Sequence, residues 1–267
     1  MSSAAEEPRI APASDYDTFV NWAARLAREL PFFRRLFAEV GVGSLIDVGA
    51  GSARHAIAFA EQGISVDAVD PDDSMLAQAE ANVAEAAGRI TAAGGKLRLV
   101  RGGFGELAAL GLGPADALTC TGNALPHAEG LDGLREALSD FCAVLRPDGV
   151  LVLHLLNHAR LLGGKPRVIP PIVREVPQGT RVFLRVIDYP AGGEFLDFDF
   201  VTLTRDTDGV WDVVSRRSPH LALPFDLLRT ELAAAGFERI EAFGAHDGRV
   251  FDAEKDESVI VVARRSA

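Results

Sequence analysis

Two acids and two glycines stand at a spacing that suits a nucleoside ligand. The run Leu45-Ile46-Asp47-Val48-Gly49-Ala50-Gly51-Ser52-Ala53-Arg54 carries an apolar strand into Gly-x-Gly and then into an alanine-rich helical pattern. Glycine has no Cβ, so a turn built on Gly49 and Gly51 lets a ligand approach the backbone closely. Asp70 follows Asp47 by 23 residues and ends a second strand-like run over Ile64–Val69. A carboxylate at such a strand end accepts both hydroxyls of a ribose. A dinucleotide fingerprint would read G-x-G-x-x-G and aim helix amides at a pyrophosphate. Here Asp47 precedes the first glycine, where it repels a pyrophosphate and attracts an ammonium.

The order Asp47-x-Gly49-x-Gly51-x-Ala53 resembles motif I of the class I S-adenosylmethionine-dependent methyltransferases, with Ala53 in place of the third glycine. Asp70-Pro71-Asp72-Asp73-Ser74-Met75-Leu76 resembles the second-strand motif of that family. The resemblance implies S-adenosyl-L-methionine as cofactor. Gly49 and Gly51 would then lie under its methionine portion and Asp47 near its amino group. Asp70 would take the ribose, Met75 would pack on the adenine and Phe104 would stack on the base. The family's acid for the adenine amine is replaced by Gly103, which leaves that contact to Glu106 or a backbone carbonyl.

Thr121-Gly122-Asn123-Ala124-Leu125-Pro126-His127 resembles the Gly-Asn-Ser-x-x-His segment of the glycine N-methyltransferase-like branch, which acts on small molecules. This implies Thr121 beside the methionine group, Asn123 as the amide that orients the acceptor, and His127 near the path of the methyl group. Tyr16 matches a tyrosine that caps the cofactor in that branch. One departure bears on the substrate. The glycine-specific enzyme has Arg-Asn-Tyr at the end of its fifth strand, the arginine clamping a carboxylate, where this chain has Leu156-Asn157-His158. A bidentate clamp is missing there, and glycine is not the expected acceptor.

The elements that must hold these residues alternate. Strands are expected at Ser44–Val48, Ser65–Val69, Lys96–Val100, Ala115–Cys120 and Val150–Leu156, with helices at Arg54–Gln62, Ser74–Ala87 and Leu131–Leu145 between them. Upstream, Phe19, Trp22, Leu26 and Leu30 recur at helical spacing. Pro31 is expected to break that helix, which resumes through Phe37 and stops at Gly41. Parallel strands with helical crossovers make a doubly wound sheet, and ligands bind beyond its strand carboxyl ends. After Asn157 the pattern becomes antiparallel: Val182–Asp188, Phe195–Thr204 and Val210–Ser215. Asp197 and Asp199 alternate there with Phe198 and Phe200, the pattern of a strand with one wet face and one dry face. A helix around Phe225–Leu232 and strands at Phe237–Phe243 and Ser258–Val262 end the chain.

The expected fold is α/β, a seven-stranded class I methyltransferase (Rossmann-like) sheet with an N-terminal helical lid and a small antiparallel β insertion. Residues 1–14 read as a disordered tail, 15–159 and 220–267 as the methyltransferase domain with 15–41 as its lid, and 160–219 as a substrate cap. Lys and Arg number 27 against 38 Asp and Glu, a net charge of −11 with no basic run, which argues against a nucleic-acid substrate. No apolar run is long enough to cross a membrane, and the N-terminus lacks a signal-peptide pattern. Cys120 and Cys142 sit in apolar surroundings and read as reduced thiols, consistent with a cytoplasmic protein. His154 and His158 fall on a strand end and not on a helix face, so no metal is expected. The partner is a small-molecule methyl acceptor, and a homo-oligomer is compatible with the sequence. The expected activity is methyl transfer to an amine nitrogen, with Asn123 and His127 as the catalytic pair. The alternative is a cofactor-binding sensor or a degenerate subunit without catalysis.

Overall fold

The computed structural model describes residues 17–267. In chain order its elements are α1 (Trp22–Val40), β1 (Ser44–Val48), α2 (Arg54–Ala60), β2 (Ser65–Asp70), α3 (Asp73–Ala92), β3 (Lys96–Arg101), β4 (Ala115–Cys120), α4 (Gly130–Val144) and β5 (Leu145–Leu156). There follow α5 (His158–Gly164), β6 (Val168–Val176), β7 (Gly179–Asp188), β8 (Phe195–Arg205), β9 (Trp211–Leu221), α6 (Phe225–Ala234), β10 (Phe237–Phe243) and β11 (Ser258–Arg265).

Seven strands make the main sheet in the order β10-β11-β5-β4-β1-β2-β3. β1 pairs in parallel with both β2 and β4, and β11 runs antiparallel between β5 and β10. The central strands are apolar almost throughout because helices cover both faces. One face packs Leu134, Leu138 and Phe141 of α4 with Leu228 and Leu232 of α6. The other packs Phe33 and Phe37 of α1 with Phe59 of α2 and Ile90 of α3. The chain leaves β1 toward β2 on one side and returns through β4 on the other. That reversal opens a crevice at the strand carboxyl ends.

The helix α1 runs unbroken through Pro31, against the expected break. Proline removes one backbone hydrogen bond and strains the turn before it, which costs about 3 kcal/mol. Phe32, Phe33 and Phe37 are each buried, and each such ring is worth about 1.5–3 kcal/mol. Packing therefore outweighs the proline. Gly41 ends the helix as expected, in the left-handed conformation at φ +70°.

The segment after β5 forms a separate four-stranded antiparallel sheet, β6-β7-β8-β9. Its edge strand β6 has no counterpart in the sequence reading. Pro170 and Pro171 disguised it: they fall where the register shifts between Ile169 and Ile172, on an edge that tolerates missing donors. The last strand continues to Leu221, beyond the expected end of the insertion. No helix among the described residues is long and apolar enough to cross a membrane.

Candidate active site

A cavity of about 790 Å³ opens where β1, β2, β4 and β5 end, closed above by the start of α1 and by the β7–β9 sheet. Asp47, Gly49, Gly51, Asp70, Met75, Phe104, Thr121, Asn123 and His127 all line it. Tyr16 lies outside the described residues.

The turn after β1 is held in the left-handed region at both glycines, φ +68° at Gly49 and +54° at Gly51. A Cβ on Gly49 would come 2.6 Å from the Ala124 Cβ, so this glycine packs the turn against the loop after β4. A Cβ on Gly51 would meet nothing nearer than the Met75 Sδ at 4.0 Å, so the space over Gly51 is open. Ala53 is left-handed as well, φ 60°, and fully buried. The alanine in the third glycine position thus keeps the glycine's backbone conformation. Gly51→Val should fail to bind S-adenosylhomocysteine, because its branched side chain fills that open space and strains a turn held at positive φ, and native circular dichroism would limit the damage to the turn. Native affinity in calorimetry would show that the turn does not approach the ligand.

Asp70 is buried at the end of β2 and joins the two motifs. Its Oδ2 accepts the Gly51 N–H at 2.7 Å and its Oδ1 the Asp72 N–H at 3.0 Å. Burial pushes its carboxyl up, and these two hydrogen bonds oppose the shift. Each oxygen keeps a second lone pair for a hydroxyl. Asp72 then caps α3, accepting from the Ser74 and Met75 amides, which fixes Met75 at the rim. Glu106 does not line the cavity. Its carboxylate accepts the Gly103 N–H at 2.7 Å, so it braces the loop after β3. Of the two candidates named for an adenine amine contact, the backbone of that loop is the one at the cavity, which Gly102 and Gly103 line.

Beneath the turn lies a polar network that the sequence reading missed. Asp47, 2% exposed, accepts the Thr119 hydroxyl at 2.6 Å, and burial pushes its carboxyl up. His55 bonds Glu29 through Nε2 at 2.7 Å and faces the Thr121 hydroxyl through Nδ1 at 3.4 Å. Burial alone would raise the Glu29 carboxyl, but the His55 hydrogen bond and the Arg25 charge reverse this and hold it well below the usual range. Arg25 reaches Glu29 at 3.0 Å and also faces the cavity. The spacing of Arg25 and Glu29, one helical turn, was the available signal. Glu29, His154 and His246 bring one ligand-type atom each within 4.8 Å of one another. Asp17, next to Tyr16, accepts from Ser52 at 2.5 Å and Arg54 at 2.8 Å and so ties the lid to the glycine turn.

Toward the second sheet, Asn123 adopts φ +68° and is gripped at both ends of its amide. Its Oδ1 accepts the Leu156 N–H at 2.9 Å and its Nδ2 faces the Nδ1 of His220 at 3.2 Å. His220 is buried, stacks on Phe198 at 4.4 Å and meets the His127 ring edge-on at 4.4 Å. Burial holds it neutral, pushed down to about 3. His127 is the more open of the pair, with Ser218 at 3.3 Å from its Nδ1. Burial and then the Arg216 charge lower its pKa. His220 stands 97 residues from Asn123, which is why no sequence motif revealed it. Phe198 and Phe200 line the cavity, whereas Asp197 and Asp199 turn outward to Arg217, so the wet and dry faces are as expected. His158 is separate from His154: its Nδ1 accepts the Leu223 N–H at 2.8 Å.

This arrangement has counterparts among known proteins. Residues 45–149 match the family described as a methyltransferase domain. The chain is 33% identical over 150 residues to a glycine/sarcosine N-methyltransferase of Parasynechococcus marenigrum, a match covering 56% of this chain and 50% of that one. It thus spans about half the length of that relative. Two solved structures share the fold. A S-adenosylmethionine-dependent methyltransferase from Clostridium acetobutylicum superposes with a TM-score of 0.76 at 13% identity, over 96% of this chain and 98% of that chain. The sugar N-methyltransferase KedS8 from Streptoalloteichus superposes with a TM-score of 0.74 at 21% identity, over 100% of this chain and 98% of that chain. Sheet order, glycine turn and second-strand acid define a class I methyltransferase fold. Residues 45–149 thus carry the methyltransferase-domain match, and the chain as a whole shares the fold of S-adenosylmethionine-dependent methyltransferases.

Proposed function

We propose that this chain transfers a methyl group from S-adenosylmethionine to an amine nitrogen of a small molecule. The observation that carries the reading is one continuous cavity that joins the Gly49–Gly51 turn and Asp70 at one end to Asn123 and the β7–β9 wall at the other. Its volume, about 790 Å³, lies in the upper part of the range of ligand pockets and leaves room for a cofactor and an acceptor together. The relatives support the nitrogen: one is named for glycine and sarcosine N-methylation and one for sugar N-methylation.

Bound here, the cofactor supplies an electrophilic methyl on a sulfonium. Asp70 would hold its ribose, Gly49 and Gly51 would let its amino-acid portion pass over the turn, and Asp47 would face its ammonium. Arg25 is the cation available to its carboxylate. Met75 and Phe104 would enclose the adenine. Asn123 is held rigidly by Leu156 and His220, so it fixes the wall against which the acceptor lies. A neutral amine needs alignment and exclusion of water more than a base. His220, neutral at physiological pH, neither repels the developing positive charge nor protonates the nucleophile.

Asp70→Ala should weaken S-adenosylhomocysteine binding by about 2 kcal/mol, the loss of a charged acceptor of two hydroxyls. The same variant frees the Gly51 amide, so circular dichroism must accompany the calorimetry. A folded Asp70→Ala protein with wild-type affinity would remove the ribose assignment. Turnover of the wild type against a panel of amines and phenols tests the choice of nitrogen, and methylation of phenols alone would overturn it.

A further inference from the structure

The face that the second sheet turns to the cavity offers donors in places where nothing in the protein receives them. Register sets Arg185, Phe200 and Arg216 directly opposite one another on β7, β8 and β9. Their side chains therefore leave the same face of the sheet, and all three line the cavity. Arg185 lies 5.5 Å from the Phe19 ring and Arg216 lies 6.0 Å from the Phe200 ring. Among the described residues neither guanidinium has an ion pair. Glu257 and Asp72 act on them only at longer range. Arg25 and Arg28, which also line the cavity, are paired with Glu29, and Arg217 is paired with Asp188 and Asp199 on the outer face.

A third donor follows from hydrogen-bond logic. Because the Asn123 Oδ1 accepts the Leu156 N–H, its nitrogen must face His220. The His220 Nδ1 is then the acceptor, and the neutral ring carries its proton on Nε2. That Nε2 is buried and has no partner among the described residues. A buried donor left unsatisfied is destabilising, and a ligand oxygen relieves it. The two carboxylates of the same strand, Asp197 and Asp199, are committed to Arg217 on the outer face. In a chain of net charge −11, the part of these three strands that lines the cavity carries no side-chain carboxylate.

We propose that the β7–β9 wall is an anion-binding subsite, in which Arg185 and Arg216 hold a carboxylate or phosphate carried by the methyl acceptor and the His220 Nε2–H donates to an oxygen nearer its amine. Guanidinium groups match both anions in geometry and charge. Arg216 is four residues from His220 on β9, a backbone separation of about 13 Å, so the anion sits well away from the Asn123 end. Phe198 and Phe200 form the apolar floor between. The clamp absent at Leu156 is therefore replaced by one on the second sheet, set back to suit an acceptor longer than glycine. That the anion belongs to a methyl acceptor rests on the function proposed above, but the anion site itself does not.

The test uses protein saturated with S-adenosylhomocysteine and two probes, glutarate and inorganic pyrophosphate, titrated by calorimetry. Wild type should bind at least one of them. R185Q/R216Q should weaken that binding by about tenfold or more while cofactor affinity stays within about twofold. R216Q, altered at an exposed position, serves as the variant least able to disturb folding and should show part of the loss. Binding of pyrophosphate alone identifies a phosphate-bearing acceptor, and binding of glutarate alone a carboxylate-bearing one. Absence of binding by both probes at about 10 mM, or equal binding by wild type and the double variant, overturns the proposal. If S-adenosylhomocysteine itself does not bind, the methyltransferase reading falls, and the same titrations on unliganded protein still decide the anion site.

Discussion

Acidification from pH 7 to pH 5 should lower the melting temperature of this protein markedly. Burial pushes His154 and His220 down to about 3 and His158 and His246 down to about 4. The unfolded chain binds a proton at each near pH 6.5. Where the folded pKa lies below the unfolded one, the histidine's contribution is complete above the unfolded value and is lost as pH falls. Between pH 6.5 and about 4 only the unfolded state takes up these protons. Each histidine then lowers stability by up to about 1.4 kcal/mol per pH unit, which is large against the stability of a domain, about 5–15 kcal/mol. The carboxyls add little in this window. Glu29 lies far below it, and Asp47 and Asp70, pushed up by burial, act in the opposite sense. The measurement is melting temperature against pH, with His154→Gln and His220→Gln as partners. A flat profile from pH 7 to pH 5 would sink the argument. A fall that the variants do not soften would place the titration elsewhere.

These histidines also mark where the sequence stops being readable. The glycine-turn end of the cavity was legible because its parts are local. Asp47, Gly49 and Gly51 sit in one turn, and Asp70 to Met75 form one strand end and helix cap. Local backbone requirements leave a signature in residue order, such as glycine at positive φ or an acid before a helix. The strand positions followed from near-continuous apolar runs, and β1, β4 and β10 fall on their expected residues. The end of the cavity toward the second sheet is assembled across the fold. His220 meets Asn123 over 97 residues, and the Arg185–Phe200–Arg216 row exists only through the pairing of three strands. The Glu29–His55 bond likewise spans 26 residues. No periodicity encodes such pairings. Pro31 and the Pro170-Pro171 pair failed as signals for a different reason. Local chemistry reads proline as a break, but tertiary packing in one case and an edge bulge in the other accommodate it.

Asn123→Ala should reduce turnover by about a hundredfold or more while changing cofactor affinity by less than about threefold. Its contacts, to Leu156 and His220, lie at the proposed acceptor wall and not at the Gly49–Gly51 turn or Asp70. Removing the amide leaves the Leu156 N–H and the His220 Nδ1 without partners, and the His220 ring is then free to turn about its stack on Phe198. Misplacement of an aligned group by about 1 Å is enough for a hundredfold loss, because the displacement depends on orientation. An interaction expressed with the acceptor and tightened at the transition state appears in kcat and in kcat/KM, not in cofactor binding. The unpartnered groups should also lower stability by about 1–3 kcal/mol each, so turnover must be read well below the variant's melting temperature. His220→Phe separates the two roles of the pair. It keeps the stack on Phe198 but removes the acceptor for Asn123 and the Nε2 donor, so it should retain the fold and cofactor affinity yet share the loss of turnover. If Asn123→Ala keeps wild-type kcat on the physiological acceptor, the amide is only a turn residue in a left-handed position. If it loses cofactor affinity in parallel with turnover, the wall it holds belongs to the cofactor, and the acceptor must lie elsewhere in the cavity.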